Sequence, residues 1–277
     1  MEDVIVVSDG TFLLDGGTIF GIVPREAWAR LSTPDRKNRI RLGLNCLLVR
    51  ADGGYALVEA GLGEVLPATR AYQFPVMGPR LPEGLAALNV DPADVRWAIL
   101  THLHFDHAGW LVRRKGDEIV PTFPNARHVV QRKELAAAAA PPIRMRGSYL
   151  AEQWKTISDA GLWHEVDGDE VLLDGVRVVR TGGHSEGHQL VLIERSRARV
   201  LFWGDIAATW WHLRPAWTTA YDVWPDEVVR VKLDWIDKAI GEDWVVASYH
   251  DPDVPLAHLV RDAHGSVRLV PVSQPTG

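Results

Sequence analysis

The chain has 277 residues and a formal net charge of −6, which disfavours a nucleic-acid-binding protein because such proteins cluster basic side chains. Its 47% hydrophobic and 24% charged residues are usual for a globular enzyme. Cys46 is the only cysteine, which excludes an intrachain disulfide, and no apolar run approaches the ~20 residues that span a bilayer. The first residues lack the cationic and apolar start of a signal peptide, so we expect a cytoplasmic protein without nucleic-acid or membrane partners.

Apolar alternation and turn residues predict the elements of the first part of the chain. In chain order these are strands at residues 4–7 and 11–14, a loop at 15–21, a helix at 24–30, and a strand hairpin at 42–50 and 55–59. Residues 64–83 contain four prolines and little periodicity, which predicts a long loop. A short helix at 81–88 and a buried strand at 95–100 follow.

The second part of the chain again alternates strands with helices. The predicted elements are a strand at 127–131, helices at 133–140 and 148–160, hairpins at 170–173/176–180 and 189–194/198–203, a helix at 226–240 and a short strand before residue 250. Periodicity alone therefore predicts an α/β protein with mixed sheets.

Potential metal ligands are concentrated directly after the strand at 95–100. His102, His104, Asp106 and His107 fall within six positions, and imidazole and carboxylate groups are ligands that zinc and similar cations prefer. In a continuing strand the first three would point one way and His107 the other. For both pairs to reach metal, the chain must turn at about Phe105, which predicts a loop at the carboxyl end of a strand.

The pattern His-x-His-x-Asp-His resembles the signature of the metallo-β-lactamase superfamily of dinuclear metallohydrolases. The resemblance runs from about Gly43 to Pro252 and includes His184 in a Gly-His-Ser-Glu-Gly-His turn, and Asp205 and His250 at the ends of apolar strands. It implies a four-layer αββα sandwich of two mixed β-sheets flanked by helices. It also implies a single domain over residues 1–277, with 1–42 as an N-terminal extension that packs near the site or against a dimer partner.

The resemblance implies two divalent metal ions. One would be held by His102, His104 and His184, the other by Asp106, His107 and His250, and Asp205 would bridge them. Zinc is the expected metal, with manganese, iron and cobalt as alternatives. The implied nucleophile is a metal-bridging hydroxide. Asp106 and Asp205 are then the catalytic carboxylates, with Asp106 able to pass the released proton to the leaving group.

Two further residues match supporting positions of the superfamily. Glu59 stands where relatives have an aspartate that orients a metal-bound histidine, although an ordinary strand-end acid is the alternative. His188, the second histidine of the Gly-His-Ser-Glu-Gly-His turn, is implied to support the site without binding metal.

The branch of the superfamily follows from the bridging aspartate. Such an aspartate is typical of lactonases, phosphotriesterases and glyoxalase II-like enzymes, and disfavours a true β-lactamase. Lactonases carry a tyrosine three residues further on, where this chain has Ala208. Tyr221 and His212 are the candidates to replace that tyrosine.

Aromatic and apolar residues near the ligands predict a hydrophobic substrate site. Its predicted walls are Trp210, Trp211, Phe20 and Ile22, with core packing or a dimer contact as the alternative. The apolar segment at residues 19–23 also predicts a homodimer.

We therefore predict a dinuclear metal-dependent hydrolase that acts on a small lactone, ester or phosphotriester with an apolar portion. A glyoxalase II-like thioesterase is the alternative enzyme, although no basic cluster is placed to bind glutathione. The non-enzyme alternative is a degenerate metal-binding protein that serves in protein interaction.

Overall fold

The structure, a computed structural model, describes residues 3–195 and 198–272. The strands are β1 (Val4–Asp15), β2 (Arg39–Ala51), β3 (Gly54–Val58), β4 (Val76–Met77), β5 (Val95–Ile99), β6 (Val112–Lys115), β7 (Glu118–Pro121), β8 (Arg127–Gln131), β9 (Trp163–Val166), β10 (Glu170–Leu173), β11 (Val176–Arg180), β12 (Gln189–Arg195), β13 (Ala198–Phe202), β14 (Val245–Ala247), β15 (Leu256–Arg261) and β16 (Val267–Pro271). The helices are α1 (Gly16–Phe20), α2 (Arg25–Trp28), α3 (Ala68–Gln73), α4 (Leu81–Ala87), α5 (Arg132–Ala139), α6 (Ala151–Asp159) and α7 (Pro225–Gly241).

Two seven-stranded mixed sheets form the centre of the molecule. The first has the order β4-β1-β2-β3-β5-β8-β9 and the second the order β10-β11-β12-β13-β14-β15-β16, while β6 and β7 pair separately. Helices flank the two sheets, which confirms the predicted αββα sandwich.

The core is divided into two layers by the second sheet. Strand β12 is buried on both faces, because its side chains alternate between the layers. Val191 and Ile193 belong to the cluster shared with the first sheet, whereas Leu190 and Leu192 pack with α7 in the outer cluster. Burial on both faces explains why this strand reads as a continuous apolar run.

Strand direction brings the predicted ligands to one edge of the sandwich. In the first sheet β3 is parallel to β5, and in the second β13 is parallel to β14. Strand β11 runs in the same direction as β13, because both are antiparallel to β12. The loops that follow these five strands carry Glu59, the His102–His107 motif, His184, Asp205 and His250.

The N-terminal segment forms one strand, so the prediction of two separate strands at residues 4–7 and 11–14 is wrong. Strand β1 pairs with β2 over its length, with a register shift between Ser8 and Thr11. At this irregularity Asp9 is fully buried and accepts hydrogen bonds from the backbone N–H groups of Leu62 and Leu81 and from Trp110 Nε1. Several donors hold the carboxylate inside, and the strand bulges around it.

Two predicted loops contain short elements. Residues 16–20 form α1, where Asp15 caps the helix by accepting from Thr18 N at 3.1 Å. The predicted loop at 64–83 contains α3 and β4, and β4 pairs with β1. Helix α3 buries none of its side chains, so it has no apolar periodicity to detect.

The other predicted helices and hairpins are present, whereas strands β6, β7, β9, β15 and β16 are not among the predicted elements. The hairpins β10–β11 and β12–β13 are present, and α5, α6 and α7 lie within one to three residues of the predicted bounds. Strand β1 lies inside the first sheet, between β2 and β4, and the division of the chain into domains stays a prediction. Among the described residues, no helix is long and apolar enough to cross a membrane.

Candidate metal centre

The His102–His107 motif forms a tight turn after β5, as its spacing predicts. The backbone N–H groups of His107 and Ala108 donate to His104 O at 3.0 and 3.1 Å, so the chain leaves the strand direction here. Phe105 N donates to Ser148 O at 2.8 Å, which fastens the turn to a neighbouring loop. The turn allows His107 to point to the same place as His102 and His104.

All seven predicted ligands are buried and come together in space. Within each of three groups, one nitrogen or oxygen atom per residue lies within 4.8 Å of the others. The groups are His102, His104 and His184; Asp106, His107 and His250; and His102, His107 and Asp205. The first two groups are the two ligand sets that the resemblance implies.

Asp205 lies between these two sets. Its Oδ1 is 3.5 Å from His107 Nε2 and 3.4 Å from His250 Nε2, while its Oδ2 is 3.3 Å from His184 Nε2. Each carboxylate oxygen therefore faces a different set, which is the arrangement expected of a bridging ligand.

Several buried polar atoms at this place lack hydrogen bonds, and this supports a metal site. Among the described residues, neither His102 Nε2 nor His104 Nε2 has a hydrogen-bond partner, and the same holds for both ring nitrogens of His107 and for Asp205 Oδ1. Unsatisfied buried polar atoms are costly and rare in native proteins. Imidazole and carboxylate atoms that converge without partners fit divalent metal ions.

Burial and the neighbouring charges shift the pKa values of the histidines in two directions. Burial lowers the pKa of His102 and of His104 well below the usual value, so both rings are neutral and keep a free lone pair. Burial opposes the charged form of His107 as well, but the carboxylates of Asp205 and Glu59 outweigh it and raise its pKa. The neighbouring histidines His107, His250 and His184 overcome the effect of burial on Asp205 and hold its pKa well below its usual range.

Glu59 contacts the histidine motif from the neighbouring strand. Its Oε2 lies 3.2 Å from His107 Nδ1, and its Oε1 accepts a hydrogen bond from Thr101 N at 2.9 Å. Thr101 Oγ1 is in turn 3.0 Å from His102 Nδ1. Glu59 has a φ of +67°, which is uncommon for a residue with a side chain and occurs at functional sites. This position matches the orienting role that the resemblance implies.

His188 contacts the backbone of Asp205 and belongs to none of the three ligand groups. Its Nε2 accepts a hydrogen bond from Asp205 N at 3.3 Å, and its Nδ1 lies 2.7 Å from Thr181 Oγ1. The adjacent Gly204 has a φ of +52°, and a Cβ there would lie 2.8 Å from His188 Nε2. Glycine is thus required for this close approach.

A small cavity lies directly beside the ligands. Its volume is about 20 Å³, roughly the room for one water molecule. It is lined by four ligand residues, His104, Asp106, Asp205 and His250, and by Leu14, Ile19, Phe105, Ser148, Thr219 and Tyr221.

The family model described as the Metallo-beta-lactamase superfamily matches residues 39–234, more than half of the chain. The chain belongs to this superfamily. Among curated relatives, the N-acyl homoserine lactonase AttM of Agrobacterium fabrum is 30% identical over 178 residues, which is 61% of this chain and 63% of that protein. The matched region thus spans less than two thirds of the length of that relative.

Solved structures of the superfamily match over nearly the whole chain. A "probable metal-dependent hydrolase" from Staphylococcus aureus has a TM-score of 0.88 and 28% identity, covering 99% of this chain and 98% of that one. The dizinc quorum-quenching lactonase AidC has a TM-score of 0.79 over 99% of this chain and 95% of that one, and at 17% identity it shows the shared fold alone. The three similar proteins named above are described as hydrolases or lactonases.

One of the six predicted substrate-site residues, Tyr221, lines the cavity, where its hydroxyl lies 3.2 Å from Thr18 Oγ1. Phe20 is instead fully buried, with its ring stacked on Trp28 at 5.1 Å. Ile22 is 88% exposed and lies outside the cavity. Of these apolar residues, Ile19 in α1 faces the ligands, whereas Phe20 and Ile22 do not line the cavity.

Nor does the structure bring Trp210, Trp211 or His212 to the cavity. A 3₁₀ helix at Trp210–Leu213 carries Trp210 into the outer core, where its Nε1 donates to Val254 O at 2.7 Å. Trp211 packs against Phe20. His212 is buried, with Nε2 2.9 Å from Ile19 O and Nδ1 2.9 Å from Thr209 Oγ1, so both of its nitrogens are engaged.

The structure also shows a residue that the sequence does not reveal. Asp222 Oδ1 lies 2.7 Å from His184 Nδ1, and its Oδ2 accepts a hydrogen bond from Thr219 N at 2.8 Å. A carboxylate behind a ligating histidine is typical of metal sites. Asp222 stands 38 residues after His184 in a loop without a recognisable pattern, so no spacing signal could have identified it.

Proposed function

We propose that this protein is a dinuclear metal-dependent hydrolase that opens a lactone carrying an apolar acyl chain. The observation that carries the proposal is the position of Asp205, whose two oxygens lie 3.3 to 3.5 Å from histidine nitrogens of the two ligand sets. The lactonase activity of the similar AttM protein supports the substrate class.

Each ligand set has the composition of a divalent metal site. His102, His104 and His184 would hold one ion and Asp106, His107 and His250 the other, and mixed nitrogen and oxygen donors favour zinc. Bound in this way, the two ions would lower the pKa of a shared water and polarise the lactone carbonyl.

Asp106 is the residue best placed to move a proton. Its carboxylate lines the cavity, and its Oδ2 lies 3.6 Å from His250 Nε2. From this position Asp106 can accept the proton released when water attacks and deliver it to the alkoxide that leaves as the ring opens.

Tyr221 supplies a hydrogen-bond donor to the substrate. It is the only phenol that lines the cavity among the described residues, and burial raises its pKa, so that the hydroxyl remains protonated. Ala208 offers no side-chain donor, and neither Ala208 nor His212 lines the cavity. The Tyr221 hydroxyl donates to Thr18 Oγ1 at 3.2 Å and would rotate to donate to the substrate instead. Tyr221 is therefore the residue that would fix the orientation of the lactone.

Apolar side chains would bind the acyl portion. Leu14, Ile19 and Phe105 line the cavity beside the ligands, and no Lys or Arg is found among its lining residues within the described chain. Burying apolar substrate surface stabilises the complex by roughly 25 cal/mol per Å². Because the cavity measures about 20 Å³, an acyl chain must displace some of these side chains as it enters.

The test is a substrate panel on the purified full-length protein, with its metal content measured by elemental analysis. We expect about two metals per chain and the highest kcat/KM for N-acyl lactones among lactones, aryl esters, phosphotriesters and thioesters. Higher kcat/KM for a glutathione thioester would refute the lactone assignment. A protein that never binds more than one metal when metal is supplied in excess would refute the dinuclear site.

A further inference from the structure

Glu134 is a fully buried carboxylate that belongs to none of the metal-ligand groups. It lies in the first turn of α5, and each of its oxygens is close to two donors. Oε1 accepts from Leu103 N and from the Tyr149 hydroxyl, both at 3.0 Å, while Oε2 accepts from Ser185 Oγ at 2.6 Å and from Gly187 N at 3.0 Å. All four acceptor positions of the carboxylate are thus occupied.

The four donors come from three separate loops around the candidate metal centre. Leu103 lies between the ligands His102 and His104, and Ser185 directly follows the ligand His184. The ring of Tyr149 packs against that of His104, with the ring centroids 5.1 Å apart. One side chain therefore connects the loops that carry the three histidines of the first ligand set.

The charge of Glu134 strengthens these connections. No salt bridge within the described part of the chain includes Glu134. The four hydrogen bonds therefore offset the desolvation cost of burying its charge. Hydrogen bonds to a carboxylate are shorter and stronger than neutral ones. Burial and the neighbouring Glu134 raise the pKa of Tyr149, so its hydroxyl stays protonated and continues to donate.

Packing at Gly187 fixes the distance between this turn and α5. A Cβ on Gly187 would lie 2.4 Å from Glu134 N and 2.5 Å from Glu134 Cβ, closer than side-chain contacts allow. The turn that carries His184 therefore rests directly on the first turn of α5 and has little freedom to shift.

The second ligand set is oriented by other groups. His107 Nδ1 faces Glu59 Oε2 at 3.2 Å, and His250 Nδ1 lies 2.9 Å from Gly43 O. None of the four hydrogen bonds of Glu134 goes to a neighbour of these two histidines in sequence. Loss of Glu134 should thus affect the two ligand sets unequally.

We propose that Glu134 is a positioning residue that sets the geometry of the His102, His104 and His184 set for its metal ion. This inference rests on the proposed dinuclear function. Glu134 touches no substrate and acts through the backbone and side chains of the loops that it connects.

The test is Glu134→Gln in the full-length protein, titrated with Co²⁺ and followed by visible absorbance and chelator competition. The amide keeps the shape of the side chain but turns an NH₂ group towards two donors. A hydroxyl can rotate to accept, whereas the N–H of Leu103 or Gly187 cannot. We expect one of the two Co²⁺ affinities to fall about 10–100-fold while the other is unchanged.

The matched control is Glu152→Gln, an exposed glutamate in the first turn of α6, which should change neither affinity. Tyr149→Phe removes one donor without altering shape and keeps the inference testable if Glu134→Gln does not fold. It should weaken the same Co²⁺ step by a smaller factor and add little in the double variant.

Two results would overturn the inference. One is that both Co²⁺ affinities of Glu134→Gln equal those of the wild type, even if the metal-free variant melts at a lower temperature, because Glu134 would then serve stability alone. The other is an equal fall of both affinities. If the wild-type protein itself takes up no more than one ion, the proposed function fails first, and that outcome is visible without any variant.

Discussion

His184 Nδ1 lies 2.7 Å from Asp222 Oδ1, and both side chains are buried. When the Nδ1–H group donates a hydrogen bond to this carboxylate, the lone pair of the ring is on Nε2, which faces Asp205 at 3.3 Å. Burial alone would lower the pKa of His184, but the carboxylates of Asp205 and Asp222 raise it. Asp222 thus fixes both the tautomer and the ring orientation of the candidate ligand His184, because it contacts the nitrogen that faces away from Asp205.

Replacing Asp222 should weaken metal binding without unfolding the protein. In Asp222→Ala the ring of His184 loses the acceptor that fixes its tautomer, so we expect metal affinity to fall about 10–100-fold. Asp222→Asn keeps one acceptor oxygen and should lose less. Chelator competition measures both, with Asp226→Ala, an exposed residue of the first turn of α7, as the control. Equal affinities in the alanine variant and the wild type would contradict this role.

Replacing Asp205 tests the bridge itself. Since one carboxylate serves both ligand sets, Asp205→Ala should reduce the metal content from about two per chain and remove most hydrolytic activity, while the circular dichroism spectrum is retained. Asp117→Ala, in the exposed turn between β6 and β7, is the control and should keep both metals. Full metal content in Asp205→Ala would show that the two sets bind independently of this residue.

Chain-length dependence tests the apolar part of the cavity. Lengthening the acyl chain should raise kcat/KM. For each buried CH₂, the increase should correspond to up to about 0.8 kcal/mol of additional binding free energy in the transition state. Ile19→Ala should flatten this dependence, because Ile19 lines the cavity. Ile22→Ala, three residues later and 88% exposed, should leave it unchanged. A flatter dependence in Ile22→Ala than in Ile19→Ala would contradict this assignment. It would support the prediction from sequence that Ile22 is a wall of the substrate site.

The candidate ligands are recognisable in the sequence because the pattern is local. His102, His104, Asp106 and His107 lie on one turn after one strand, and the other three ligands each follow an apolar strand or stand in a glycine-rich turn. The groups behind the ligands, such as Asp222 and Glu134, could not be predicted. They reach the site from distant loops through tertiary contacts, which leave no spacing signal in the chain.

The residues that line the cavity could not be predicted from their distance to the ligands in sequence either. Trp210 stands only five residues after Asp205, yet the 3₁₀ helix at Trp210–Leu213 carries it to the outer core. Ile19 is remote in sequence and lies beside the ligands. Similarly, the continuous apolar run of β12 predicted a strand, whereas α1 and α3 are too short for an apolar period to be visible.

The stability of the protein should decrease as the pH is lowered, because a histidine away from the metal centre is buried. Burial lowers the pKa of His128 on β8 to about 4, from 6.5. Between pH 6.5 and pH 4 the unfolded chain therefore binds a proton that the folded chain does not, and the free energy of unfolding decreases as the pH falls, by up to about 3 kcal/mol in total.

The variant that checks this is His128→Leu, which cannot titrate. Urea unfolding of the metal-free protein between pH 7 and pH 4 should give a flatter dependence for His128→Leu than for the wild type. His264→Leu removes an exposed histidine from the turn before β16 and should keep the wild-type slope. Parallel pH dependences for the wild type and His128→Leu would exclude the buried histidine as the cause.

Homodimer formation stays a prediction. Only part of the apolar segment proposed for the dimer contact is exposed. Within residues 19–23, Ile19 and Phe20 are buried in their own chain, while Ile22 is 88% exposed. We expect sedimentation equilibrium at micromolar concentration to give the mass of a dimer and Ile22→Asp to shift it towards the monomer. A monomeric mass for the wild-type protein would exclude the dimer.

The described chain passes from the first sheet to the second once, between Val166 at the end of β9 and Glu170 at the start of β10. Each ligand set takes two members from before this crossing and one from after it. Asp167 and Asp169, at the crossing, are exposed. A chain cut there would yield two polypeptides, neither of which holds a complete metal site. Metal would bind only to the reassembled pair, so its concentration would control how much of the pair is present.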